Sequence, residues 1–492
     1  MATLTYSTTN PNADAFESFF AAPGQVVFDN DTAAEVRIAR TATFFTGQAV
    51  FAYGLSNGQG PTPTIYGFTL CAPDARFGNP APLLTYDFDP LGAGITMTTL
   101  LAGLYGGTAN PVEQLLSGDD TITSEGAAGR VHCGYAGNDT IFAGSGGDYI
   151  VGGSGADLMY GGGGDDDFEV DNPLDQVFEA DVPGVDRVLA HVGWILGAGS
   201  HVEEIHASAT AGSIALAGNE LANKLFGNNG ANVLNGGAGG DQMAGGLGDD
   251  IYVVDCAADL VIETGAGTDT VAASASYVLS SGAPIEFLVA SDGNAATRIN
   301  LTGSASANTI VGNAGVNVLN GLAGDDVMCG LGGSDGLAGA SGNDLLKGGF
   351  DNDRLDGGSG HDRLFGEYQN DTLLGGIGVD TMSGGAGRDT FVFNTTLGPA
   401  NVDRITDFRP VDDTIQLENA IFKGLAPGKL AAAAFHVSTS AVLAHDPSDR
   451  IVYHKPSGCL FYDANGNAAG GAVKFAQLAA GLTLTHGDFF VI

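Results

Sequence analysis

From Asp326 to Asp389 an aspartate returns every nine residues, and a large apolar residue follows each one two places later. Asn308 and Asn317 head the run, so ten units hold one phase without a slip. A globular core has no use for such regularity; a stack of like turns does. The unit reads GGxGxDxUx, with U a large apolar residue, as in GGSGHDRLF (357–365) and GGIGVDTMS (375–383). Two earlier blocks use the same unit. The first carries Asp139, Asp148, Asp157 and Asp166, with Ile141, Ile150, Met159 and Phe168 as apolar partners, and LLSGDDTIT (115–123) as a degenerate leader. The second carries Asn223, Asn232, Asp241 and Asp250, with Leu225, Leu234, Met243 and Tyr252.

Each unit can make one loop and one short strand. Glycines permit positive φ and close backbone approach in GGxGxD, and xUx forms a strand with U pointing inward. Two units complete one coil, so like positions recur every 18 residues. Asp326, Asp344, Asp362 and Asp380 then line one edge; Asp335, Asp353, Asp371 and Asp389 line the other. Met328, Leu346, Leu364 and Met382 stack inside against Leu337, Leu355, Leu373 and Phe391. Coils about 4.8 Å apart would set neighbouring carboxylates in repulsion by roughly 0.9 kcal/mol even in water. A cation between them removes the conflict. Calcium suits it, taking six to eight oxygens at flexible geometry, backbone carbonyls included. Zinc would want His or Cys, and neither recurs in register.

Charge agrees. The 492 residues carry a net charge of −39, which argues against nucleic acid or an anionic membrane as partner. The 78 glycines follow no collagen-like triplet, so they serve turns. Cys71, Cys133, Cys256, Cys329 and Cys459 are few and widely spaced, and indicate neither a zinc site nor a disulfide framework. No run of 18 apolar residues predicts a transmembrane helix. The opening MATLTYSTTNPNADAF has neither the basic start nor the apolar stretch of an export signal, which alone predicts a cytoplasmic chain.

The units GGSGADLMY, GGGGDDDFE, GGAGGDQMA, GGLGDDIYV, GGFDNDRLD, GGSGHDRLF, GGIGVDTMS and GGAGRDTFV resemble the RTX (repeats-in-toxin) calcium-binding β-roll family over about 115–395. The resemblance implies a parallel β-roll with Ca²⁺ between successive loops. FVFNTTLGPANVDRITDF, DDTIQLENAIF, RIVYHKPSGCLFYDANGN and the closing GDFFVI resemble the C-terminal region of serralysin-type and other RTX proteins. This implies export by a type I secretion apparatus of a Gram-negative bacterium, from an uncleaved C-terminal signal, and reverses the cytoplasmic expectation.

The expected fold is all-β. Its parts are a small, mostly-β N-terminal domain (1–114), RTX blocks at 115–170, 217–254 and 302–395, inter-block strands at 171–216 and 255–301, and a β-rich capping and secretion region (396–492). The segments that follow the first two blocks match one another, and Asp166 and Asp250 lie 84 apart, so one module is duplicated. In the N-terminal part VVFDN, TATFF, AVFAY and IYGFTL read as strands and ADAFESFFAA as a short helix; short helices are also expected near KLAAAAF and KFAQLAA. Expected metal ligands are the fourteen repeat aspartates: Asp139, Asp148, Asp157, Asp166, Asp241, Asp250, Asp326, Asp335, Asp344, Asp353, Asp362, Asp371, Asp380 and Asp389. Pairs 18 apart set a ceiling of about twelve Ca²⁺.

Departures qualify the pattern. Asn223, Asn232, Asn308 and Asn317 offer neutral amide oxygens, so their edges bind weakly or only cap. Glu367 and Gln369 stand where glycine is expected, and positive φ there would be strained. Gly336 and Leu337 stand where the strand should be in GLGGSDGLA. Asp175, Glu179 and Asp186, repeated at Asp259, Glu263 and Asp269, read as solvated strand faces, with extra calcium ligation as the alternative.

Apparent catalytic motifs dissolve on inspection. Ser56 in GLSNG lacks a helix after it, since Pro61 and Pro63 follow. HVEEIH (201–206) spaces its histidines five apart, not four. DANGNA (463–468) puts Ala468 where a calcium loop needs glycine. Trp194, the one tryptophan, reads as core. No catalytic residue is assigned. The expected protein is a secreted, non-enzymatic calcium binder in a structural, surface-layer, matrix or adhesion role, with itself or a cell-surface glycan as partner. The alternative is an enzyme on polysaccharide or lipid with its chemistry in 1–114, where Asp87 and Asp89 are the only acidic pair of note.

Overall fold

A computed structural model describes residues 118–492, apart from 125–126, 128, 292–296, 440–445 and 467–470, together with the N-terminal strands Thr3–Thr5, Glu35–Ala39, Ala49–Leu55 and Thr64–Cys71. The last three form an antiparallel sheet. Two of the expected N-terminal strands coincide with it. The segments VVFDN and TATFF, the helix ADAFESFFAA, and Ser56, Asp87 and Asp89 lie outside the described residues.

The chain divides into two compact units, Met1–Gly246 and Leu247–Ile492. In the first, short parallel strands stack in two longer ladders beside a short one through Trp194, Leu216 and Leu234. One runs Ile122, Ile141, Met159 and Val177 in register. The other runs His132, Ile150, Phe168, Val188, Ile205, Leu225 and Met243. The ladder therefore passes straight through the segment between the first two blocks. Every one of these side chains is buried, and successive coils share one apolar seam.

The second unit repeats the plan. Tyr252, Val271, Leu288, Ile310, Met328, Leu346, Leu364, Met382 and Ile405 align in one ladder. Leu301, Leu319, Leu337, Leu355, Leu373, Phe391 and Ile415 align in the other. The 18-residue register and the two facing stacks are those the sequence predicts. Gly336 does begin a strand, Gly336–Ser341, because the coil needs only Leu337 to point inward.

The last coils give way to a cap. Ile451–His454, Cys459–Asp463 and Ala472–Gln477 run antiparallel, and Ala472–Gln477 pairs with Asp403–Ile405. Phe393, Phe422, Tyr462 and Phe475 meet edge to face inside it. The helix expected near KFAQLAA is instead this strand: pairing on both sides outweighs the helical preference of Ala, Gln and Leu. KLAAAAF makes only a single 3₁₀ turn, Ala432–Ala434. No helix of the described residues is long and apolar enough to cross a membrane.

Candidate metal centre

Each repeat aspartate sits where its loop turns into its strand, and all fourteen are buried. Their side chains follow one rule. Oδ1 accepts the backbone N–H of the residue at the same place one coil earlier: Asp344 from Asp326, Asp362 from Asp344, and Asp380 from Asp362, at 2.8–2.9 Å. Along the other edge, Asp353 accepts from Asp335 and Asp371 from Asp353 at 2.8 Å, and Asp389 from Asp371 at 3.0 Å. Block one does the same, Asp157 accepting from Asp139 and Asp166 from Asp148. Asp241 accepts from Asn223 at 2.8 Å.

Oδ2 is left over. In Asp139, Asp157, Asp166, Asp326, Asp335, Asp344, Asp353, Asp362, Asp371, Asp380 and Asp389 this atom is buried without a hydrogen-bond donor. Such an orphan is costly unless something cationic meets it. It faces the first glycine of its own loop. A Cβ on Gly339 would fall 2.2 Å from Asp344 Oδ2 and 2.7 Å from the carbonyl oxygen of Gly357, one coil on. Gly330 stands likewise to Asp335 and Gly348, and Gly366 to Asp371 and Gly384. Glycine is thus required there to leave a cradle between successive coils, lined by a carboxylate oxygen and a carbonyl oxygen. Buried, anionic and made only of oxygen, this set fits a hard divalent cation such as calcium.

Burial dominates the electrostatics. It pushes the Asp139, Asp166, Asp335, Asp353 and Asp362 carboxyls up to about 7 and Asp371 to about 8, with neighbouring carboxylates adding to the rise. Asp157, Asp326 and Asp389 rise to about 6, and Asp344 also rises, for the same first cause.

The rows are longer than the repeat motif. Asp403 accepts from Asp380 and Asp413 from Asp389, both at 3.1 Å, although the spacing slips to 23 and 24 residues. Asp175 accepts from Asp157, Asp186 from Asp166, and Glu203 of HVEEIH from Asp186. Asp175, Glu179, Asp186, Asp259, Glu263 and Asp269 are all buried, which overturns their reading as solvated strand faces. Coils between blocks remain coils, so the acidic residues at their corners turn inward with the rest. His206 is no ligand partner of His201; it pairs with Glu204 at 3.2 Å and stacks on Phe226. Arg130 occupies the aspartate slot before Asp148, donating its N–H to Asp148 Oδ1 at 2.7 Å.

The asparagines behave differently. Asn308 Oδ1 accepts from Ser304 N–H within its own loop, and Nδ2 donates 2.6 Å to the Ile285 carbonyl. Asn317 accepts from Asn313 and donates to Ile299; Asn223 accepts from Asn219 and donates to Val202. An amide hydrogen supplies the carbonyl's partner in these loops. Glu367 and Gln369 do take positive φ, 80° and 68°, and Asp351 joins them at 78°.

Residues 134–168, 218–252, 302–337, 332–364 and 356–391 match the family model described as RTX calcium-binding nonapeptide repeat (4 copies). No curated protein matches the chain. The matched repeats are calcium-binding motifs, and calcium is the cofactor they bring.

Proposed function

We propose that this RTX β-roll repeat protein is a secreted, non-enzymatic scaffold whose coils form when calcium binds outside the cell. The observation that carries the reading is the double row of buried, orphaned Oδ2 atoms, with a glycine carbonyl of the next coil set against those of Asp326, Asp335, Asp344, Asp362 and Asp371. The fourteen repeat aspartates hold the ions, most of them through these atoms. Without cations the rows repel and desolvated charge accumulates, so the metal-free chain favours an open state. Binding free energy then becomes folding free energy. Extracellular calcium, at about 10⁻⁴ to 10⁻³ M, suits sites of this oxygen-rich type, while the cytosol holds far less. Synthesis as an open chain and coiling after export follow, with 396–492 carrying the signal read by a type I secretion apparatus.

Two tests bear on this. Circular dichroism in excess chelator should show a largely uncoiled chain that coils as calcium is added; a fully formed roll in chelator sinks the proposal. Light scattering during the same titration separates the roles. Large, chelator-reversible assemblies support a surface-layer or matrix function with a second copy as partner. Compaction to a monomer directs the search to a glycan or other surface partner.

A further inference from the structure

Where the nine-residue rhythm breaks after block one, three carboxylates converge. Oxygens of Asp166, Glu179 and Asp186 lie within 4.8 Å of one another, all buried. Eighty-odd residues later, in the second unit, Asp250, Glu263 and Asp269 form the same group within the same limit. The duplicated module has kept three converging carboxyl groups at one position in both copies.

Two further features of the first group point to a ligand. Asp166 is 0% exposed, and its Oδ2 has no donor. That atom and Glu179 Oε1 aim at one place: a Cβ on Gly161 would fall 2.5 Å from the first and 1.8 Å from the second. Backbone groups hold the frame. Asp166 N–H donates to Asp186 Oδ1 at 2.8 Å, and the N–H groups of Gly162 and Ala180 reach the Glu179 carboxylate at 3.2 and 3.3 Å. These bonds fix the carboxylates without neutralising them.

We infer that Asp166, Glu179 and Asp186, and in the duplicate Asp250, Glu263 and Asp269, each hold a hard divalent cation of the calcium class, at a site that takes the place of the plain nonapeptide cradle at the last repeat aspartate of its block. The cradles bring together repeat aspartates and glycine carbonyls. This site adds a glutamate and an aspartate supplied by the segment beyond the repeat, and with three carboxylates it binds calcium more tightly than a cradle does. It fills first and joins each repeat block to the strands that follow it. The inference rests on the proposed calcium reading of the rows.

Trp194 supplies a local reporter, because it is the only tryptophan and its Nε1 donates 2.8 Å to the carbonyl of Asp175, at the head of the strand Gln176–Phe178 that leads to Glu179. The full chain is titrated with calcium from chelator, following Trp194 emission and, by equilibrium dialysis, the number of ions bound. In the unaltered chain the Trp194 change should be complete before the dichroism change is. Glu179→Gln should raise the Trp194 calcium midpoint by about tenfold or more and bind one ion fewer, whereas Asp362→Asn should leave that midpoint in place. Glu263→Gln should also bind one ion fewer while leaving the Trp194 response as it was; this holds the test open if Glu179→Gln does not fold. Unchanged midpoint and ion count in Glu179→Gln, or an unchanged count in Glu263→Gln, overturns the inference alone. A chain that binds no calcium at any site overturns the row reading beneath it.

Discussion

Asp362 Oδ1 accepts the amide hydrogen of Asp344 at 2.8 Å, one coil back, while the Oδ2 atom of the same carboxylate is buried and meets no donor. One oxygen therefore fixes the coil in register and the other waits for charge from outside the chain. Asp362→Asn can still tie to the coil before, by its oxygen or, as at Asn317, by its amide hydrogen, and it removes the charge. In calcium the variant should be less stable, by about 1–3 kcal/mol for a lost charge-assisted contact. In chelator it should be more stable than the unaltered chain, since one buried charge has gone from between Asp344 and Asp380. Urea midpoints in the two media check the reversal of sign; equal shifts in one direction would contradict it.

Acidity should act in opposite directions with and without calcium. Burial holds Asp335, Asp353 and Asp362 at about 7 and Asp371 at about 8, against an ordinary value of 3.8. The folded carboxyls bind protons more tightly than unfolded ones do. Their protonation thus stabilises the metal-free coil fully below 3.8, and the contribution is lost as pH rises through 7 to 8. In chelator, dichroism should show more coil at about pH 5 than at about pH 8. With calcium present, protons compete for the same oxygens, so the calcium midpoint should climb as pH falls through that window.

Gly339→Ala tests the cradle directly. The backbone there lies outside the left-handed region, so alanine is not refused by φ. Its methyl group would stand 2.2 Å from Asp344 Oδ2 and 2.7 Å from the Gly357 carbonyl oxygen. The variant should bind fewer calcium ions in equilibrium dialysis and lose about 1–3 kcal/mol of stability in calcium. An unchanged ion count would show that the glycine face is not where the ion sits.

Gln369→Gly and Glu367→Gly should each stabilise the calcium-loaded protein. Both residues hold positive φ at loop positions filled elsewhere by glycine. Relief of the left-handed penalty, about 1–2 kcal/mol, exceeds the added entropy cost of glycine, about 0.5–1 kcal/mol. Glu367 also bears on Asp371 and Asp353 with like charge, so its removal helps twice. Thermal unfolding in calcium measures the gain; a loss would mean these side chains make contacts that outweigh their backbone strain.

How far the sequence could be read depended on where the rhythm held. Period nine placed Leu346 over Met328 and Leu355 over Leu337, because an inward position and a glycine loop both recur in phase. It also put the repeat aspartates in two rows. Asp403 and Asp413 escaped, since insertions move them to 23 and 24 residues from their partners while the coil still delivers them to the same corner. Glu179 and Asp186 escaped for a related reason: outside the motif, nothing local distinguishes a buried corner carboxylate from a solvated one. The strand Ala472–Gln477 was hidden because its pairing partners, Cys459–Asp463 and Asp403–Ile405, exist only in the folded cap.

The asparagine loops give the stack internal firebreaks. Asn308 and Asn317 close their turns by accepting from Ser304 and Asn313, and tie them to the coil before through their own amide hydrogens, as Asn223 does in the other unit. At these corners the tie to the coil before needs no ion. In a one-dimensional stack each coil leans only on its neighbours, so unwinding that starts among starved aspartate loops must break these ion-free ties to spread. A local fall in calcium would then open one block and stop at its asparagines, leaving a seam of formed coil from which the block can rewind when the ion returns.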